Sequence, residues 1–138
     1  MKKRTAVIGA LMSFLPIAQP LVIRTGAVLT SSALLLSASQ EVQAESKEFY
    51  FNQGREKFSR GDYYGAISDY NKVIELNPRE ANAYYNRGLA KRKLGDNYGA
   101  ISDYNKSIEL NPKEEDAYYN RGFTKMLIKD YQGAISDY

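Results

Sequence analysis

The chain has 138 residues, enough for one domain, and contains neither histidine nor cysteine. That composition removes the usual general base, the thiol nucleophile, soft metal ligands and any disulfide framework. The net charge of +3 is unevenly placed: four of the 19 basic residues (Lys2, Lys3, Arg4, Arg24) and one of the 16 acids (Glu41) precede Glu45, leaving 15 of each sign beyond it. The basic character therefore belongs to the N-terminus and gives no reason to expect nucleic acid as a partner.

Residues 1–44 read as a targeting segment. Met1-Lys2-Lys3-Arg4 opens it, two apolar stretches follow, and Val42-Gln43-Ala44 offers a peptidase site behind a polar region. The expectation is an exported chain whose mature form begins at Glu45, in the periplasm, another envelope compartment or outside the cell. The alternative is a membrane anchor within residues 6–38. Residues 6–23 reach the lower limit for a span, although Pro16, Gln19 and Pro20 interrupt them.

From Lys47 the sequence repeats. Gly54, Gly88 and Gly122 are 34 residues apart, as are Ala66, Ala100 and Ala134, and Pro78 and Pro112 keep the same interval. The hexapeptide Gly-Ala-Ile-Ser-Asp-Tyr occurs unaltered at 65–70, 99–104 and 133–138. A period of this length marks stacked units, here 47–80, 81–114 and an incomplete 115–138. Apolar spacing within each unit is helical. It predicts helices near 48–60, 64–76, 82–94, 98–110 and 116–128, and a marginal short segment from Gln132. Gly61-Asp62 and Gly95-Asp96 fit a left-handed helix end followed by an N-cap. Lys129 replaces the glycine in the third unit, at a cost on the order of 1–2 kcal/mol if the left-handed geometry is kept. Prolines 78 and 112 stop the second helix of their units.

A 34-residue helix–turn–helix with glycine at position 8, alanine at 20, tyrosine at 24 and a closing proline resembles the tetratricopeptide repeat (TPR). The resemblance covers about residues 47–138. It implies an all-α fold, a right-handed superhelical stack of αα-hairpins (an alpha solenoid), and combined with the leader it implies an exported bacterial protein. Departures recur in register. Tyr50, Tyr84 and Tyr118 replace a tryptophan. Gln53, Arg87 and Arg121 stand where leucine is usual, and Lys57, Lys91 and Lys125 where tyrosine is usual.

No enzyme is expected. Asp62, Asp96 and Asp130, like Asp69, Asp103 and Asp137, recur with the repeat, whereas an active site is normally singular. No metal or cofactor is expected either. The resemblance implies a concave groove lined by the first helices, with Phe51, Asn52, Arg55, Tyr85, Asn86, Leu89, Tyr119, Asn120 and Phe123 facing it. The row Asn52, Asn86, Asn120 is similar to the asparagine ladders that hold a peptide backbone in some TPR proteins; equally, asparagine is common at that position. The chaperone-binding carboxylate clamp of the family is not expected, because its places hold Phe51, Arg55, Asp116 and Asn120. The expected function is protein–protein interaction through a peptide segment or helix of a partner. The alternative is an assembly unit that forms homo-oligomers through its incomplete third repeat.

Overall fold

The computed structural model describes residues 31–138, with side chains from residue 36 onward. The basic opening and the stretch 6–23 of the N-terminal segment lie outside the described residues. Six helices follow one another: α1 (Ser31–Ser59), α2 (Tyr63–Leu76), α3 (Ala81–Lys93), α4 (Asn97–Leu110), α5 (Glu115–Leu127) and α6 (Tyr131–Asp137). Among the described residues there is no strand, and no helix is long and apolar enough to cross a membrane. The pairs α1–α2, α3–α4 and α5–α6 form hairpins that stack in chain order, so each unit touches only its neighbours.

From Tyr63 onward the expected helices begin and end within one residue of those observed. The first differs: it is already helical at Ser31, the first described residue, and does not begin near residue 48. No glycine or proline stands between Ser31 and Gly54, so nothing in the chain stops helical propagation there. Residues 36–45 are exposed throughout, and local bonds occur along this part of α1, such as Ser46 Oγ donating to the Val42 carbonyl at 2.8 Å.

The turns explain the recurring Gly-Asp pair. Gly61 and Gly95 have φ of +82° and +84°. The amides of Asp62 and Asp96 donate back to the carbonyls of Lys57 and Lys91 at 2.9 and 3.0 Å, which closes a Schellman motif. The same aspartates cap the next helix, accepting from Gly65 N and Gly99 N at 2.9 Å. The third turn is not remodelled. Lys129 keeps the left-handed conformation at φ 66°, Asp130 N reaches the Lys125 carbonyl at 2.9 Å, and Asp130 caps α6 through Gly133 N. With its cap in place, α6 forms as a seven-residue helix.

Packing inside each hairpin rests on a small residue facing a large one. Ala66, Ala100, Tyr70 and Tyr104 are fully buried. A Cβ placed on Gly54 would come within 2.7 Å of the Tyr70 ring, and one on Gly88 within 2.8 Å of the Tyr104 ring. Glycine is what lets the first helix lie against that ring.

The departures at positions 7 and 11 belong together. In the second unit Arg87 grips Asp103 with both ends of its guanidinium, Nε to Oδ2 at 2.8 Å and Nη2 to Oδ1 at 2.6 Å. Lys91 Nζ reaches the same carboxylate at 2.8 Å. Arg87 Nη1 also donates to Asn71 of the preceding unit at 2.7 Å, and its guanidinium lies 5.4 Å from the Tyr84 ring centre. Arg121, Lys125, Asp137, Asn105 and Tyr118 repeat this arrangement in the third unit. In the first unit only Lys57 meets Asp69, at 2.7 Å. Hydrogen bonds to Asp103 raise the pKa of Arg87 against its partial burial. Burial opposes ionisation of Asp137, but Arg121 and Lys125 outweigh it and hold the carboxyl below its ordinary value. The aspartates singled out by their recurrence are thus structural, pinning one helix of a hairpin to the other.

Candidate functional site: the face of the first helices

The first helices α1, α3 and α5 stand side by side and touch in sequence. The nine expected groove residues are distributed along them, three to a helix, and they divide into two groups by what they touch.

Two of the aromatic residues at position 5, Phe51 and Tyr85, are tied to core tyrosines, while Tyr119 meets the exposed Tyr138. Phe51, Tyr85 and Tyr119 lie 5.9, 6.0 and 5.7 Å from the rings of Tyr70, Tyr104 and Tyr138. Burial pushes the pKa of Tyr85 up to about 12, assisted by Asp116 nearby. Phe51 and Tyr85 rest on the buried rings of Tyr70 and Tyr104, so they offer a rigid apolar surface at little ordering cost.

The three asparagines are not equivalent. Asn52 is exposed and makes no side-chain hydrogen bond among the described residues. Asn86 Nδ2 donates to the Asn82 carbonyl one turn back at 2.7 Å, leaving its Oδ1 free to accept. Asn120 is committed on both sides. Its Nδ2 donates to the Asp116 carbonyl at 2.9 Å and to the Tyr85 hydroxyl at 3.1 Å, and its Oδ1 accepts from Arg92 at 3.4 Å. Asn120 therefore joins α5 to α3, while Asn52 and the free oxygen of Asn86 face outward with unused capacity.

Arg92 was not among the expected site residues. Its guanidinium sits 5.1 Å from the centre of the Phe123 ring and reaches Asn120, so it spans the α3–α5 junction on this face. The signal in the sequence was only a basic residue at position 12 of the second unit, where Phe58 and Met126 occupy the other two. Arg55, exposed on α1, supplies a second cation. Leu89 is half-buried on α3. Together these residues form a shallow strip of aromatic rings, two outward amides and two guanidinium groups. Such a strip suits an extended chain with polar backbone groups and some acidic character.

Comparison with known proteins bears on the family and the fold. A TPR repeat model matches residues 54–95 and a tetratricopeptide repeat model matches residues 81–114. No curated protein gives a match. Among solved structures, the TPR2B domain of yeast Sti1, in a complex described as pHsp70, is 31% identical with a TM-score of 0.66, covering 67% of this chain and 74% of that one. The TPR domain of Arabidopsis OM64 is 26% identical with a TM-score of 0.67, covering 69% and 78%. The first TPR of Spaghetti (RPAP3), bound to the HSP90 peptide SRMEEVD, is 27% identical with a TM-score of 0.66, covering 67% and 74%. With its 34-residue αα-hairpins, its Gly–Tyr packing and these relatives, the chain belongs to the tetratricopeptide repeat family.

Proposed function

We propose that this chain is a non-catalytic interaction module that holds an extended segment of an envelope protein along the face of α1, α3 and α5. The observation that carries the reading is the pairing of the unspent amide of Asn52 and the free amide oxygen of Asn86 with a fixed floor of Phe51 and Tyr85. A backbone laid over the floor finds a donor and an acceptor on Asn52 and an acceptor on Asn86, whatever its side chains. Relatives solved with chaperone peptides support peptide binding as the general mode. The mode of contact here differs from a carboxylate clamp, because Asp116 puts a negative charge where a terminal carboxylate would need a positive one. Arg55 and Arg92 favour a segment with acidic side chains instead.

Export follows from the leader. Residues 36–45 of α1 are exposed, and the first partly covered residues after them are Ser46 and Lys47, which supports a mature chain starting at Glu45. Sequencing the N-terminus of the protein recovered from cell envelopes tests it, and intact Met1 in a soluble cytoplasmic fraction refutes it.

The groove is tested with a partner captured from an envelope extract. Replacing Asn52 and Asn86 together with alanine removes net hydrogen bonds worth roughly 0.5–1.5 kcal/mol each, a loss of about ten- to a hundredfold in affinity. Ser102, exposed on α4, is the control. If Ser102→Ala weakens binding while the double asparagine variant does not, the second helices are the working surface.

A further inference from the structure

The first helix of each unit has a stacking edge at positions 3, 7, 10 and 14, spaced by four, three and four residues so that they share one side of the helix. In the second unit these are Ala83, Arg87, Ala90 and Leu94; in the third, Ala117, Arg121, Thr124 and Ile128. Ala83, Ala90, Ala117 and Thr124 are fully buried. Arg87 and Arg121 reach back from this edge to Asn71 and Asn105 of the unit before. Small residues at both shoulders let the preceding second helix approach, and the arginine between them fixes its position.

The first unit carries a different set: Phe49, Gln53, Glu56 and Arg60. Phe49 is 59% exposed where its counterparts are fully buried. Arg60 is paired with Glu56, and their side chains are 72% and 47% exposed. We propose that these four residues make this edge of α1 a terminus, closed to stacking by any further repeat, including the third unit of a second copy. A phenylalanine occupies the hollow that alanine leaves for a neighbouring helix, so a unit docked in register meets a ring where the other two junctions have none. Gln53 lacks the fork with which arginine holds its own aspartate and the neighbour's asparagine at once. Covering Glu56 and Arg60 strips water from an ion pair whose attraction does not repay that loss.

The consequence concerns assembly. A repeat array whose two ends match joins head to tail without closing and grows into filaments. Here the α1 edge does not match the edges of α3 and α5, so the homo-oligomer formed by stacking a third unit on a first is disfavoured.

The test opens the edge. In the full chain, Phe49→Ala, Gln53→Arg, Glu56→Ala and Arg60→Leu together give α1 the edge of α3. Ile135, 68% exposed on α6, is changed to Lys in the same protein so that it cannot bind itself. Binding of this variant to immobilised wild-type chain is compared with binding of the Ile135→Lys chain alone. At least a tenfold gain in affinity is expected for the opened edge, with no specific binding by the Ile135→Lys control. Circular dichroism checks the helices. Should the fourfold variant lose them, the Glu56→Ala/Arg60→Leu pair, which changes only exposed side chains, is measured the same way and should still gain affinity. No gain from a folded opened edge overturns the proposal. So does a wild-type chain that binds itself and ceases to do so when Ile135 becomes lysine.

Discussion

Asp103 is the place where the architecture is most exposed to a single change. Its side chain is 5% exposed and is held by Arg87, at 18%, and Lys91, at 23%. Replacing it with alanine leaves two cations facing each other in a partly dry junction. Removing one member of a fully buried ion pair costs about 3–5 kcal/mol. Here the two cations keep some access to water, which lowers the expectation to about 2–3 kcal/mol. The bond from Arg87 to Asn71 survives only if the guanidinium stays in place without its carboxylate, so the α2–α3 junction should loosen together with the hairpin. A domain of this size shifts by roughly 4–8 °C per kcal/mol, so Asp103→Ala should lower the melting temperature by about 10–20 °C in circular dichroism. The comparison that isolates electrostatics is the triple variant Arg87→Leu, Lys91→Tyr, Asp103→Ala, which restores the apolar residues usual for the family at positions 7 and 11. Exchanging a whole buried ionic group for apolar side chains is often neutral or stabilising, so the triple should regain most of the loss. If Asp103→Ala melts within a degree of wild type, the carboxylate carries no structural weight. If the triple is as unstable as the single, the loss comes from the cavity and not from stranded charge.

Three further outcomes are expected. Lys129→Gly should stabilise the chain by about 1 kcal/mol, since the left-handed penalty of roughly 1–2 kcal/mol exceeds the extra entropy of glycine; chemical denaturation measures it, and a loss of stability would contradict the positive φ. Ser107 is fully buried with no partner for its hydroxyl, at the position where the first unit has the buried Val73. Ser107→Val should therefore raise stability by ~1 kcal/mol or more, as an unsatisfied buried group costs about 1–3 kcal/mol. On acidification, Asp137, whose folded pKa is depressed, contributes stability that is complete above its unfolded value and disappears as pH falls through the folded one. Acid titration of the Asp137→Asn variant should consequently show a shallower loss of stability below about pH 4 than wild type does, and parallel curves would refute the pairing.

The repeat made most of the fold legible. A period of 34 residues, glycine before aspartate and proline after asparagine place five of the six helices to within a residue at their ends, except at the start of α1, because each signal acts on the backbone over a few residues. The start of α1 was not legible in the same way: a helix continues wherever nothing stops it, and from 31 to 53 nothing does. Lys129 could be flagged from sequence, but whether its turn kept the left-handed form depended on Asp130 closing the motif and capping α6. The recurrence of Arg87 with Lys91 and of Asp103 was visible as pattern alone. That the two patterns are one interaction required the hairpin to bring residues 16 apart to 2.6–2.8 Å. The asparagines show the limit most plainly. Their identical spacing makes Asn52, Asn86 and Asn120 look interchangeable, yet stacking gives Asn120 the Tyr85 hydroxyl and Arg92 as partners and leaves Asn52 bare. The unit and its turns could be read from the residues alone, since these arise from local backbone preference and apolar spacing, whereas the face of the first helices entered only through the family resemblance. Which polar groups on the face of the first helices are spent came only from the packed fold, because it depends on the neighbour each unit has.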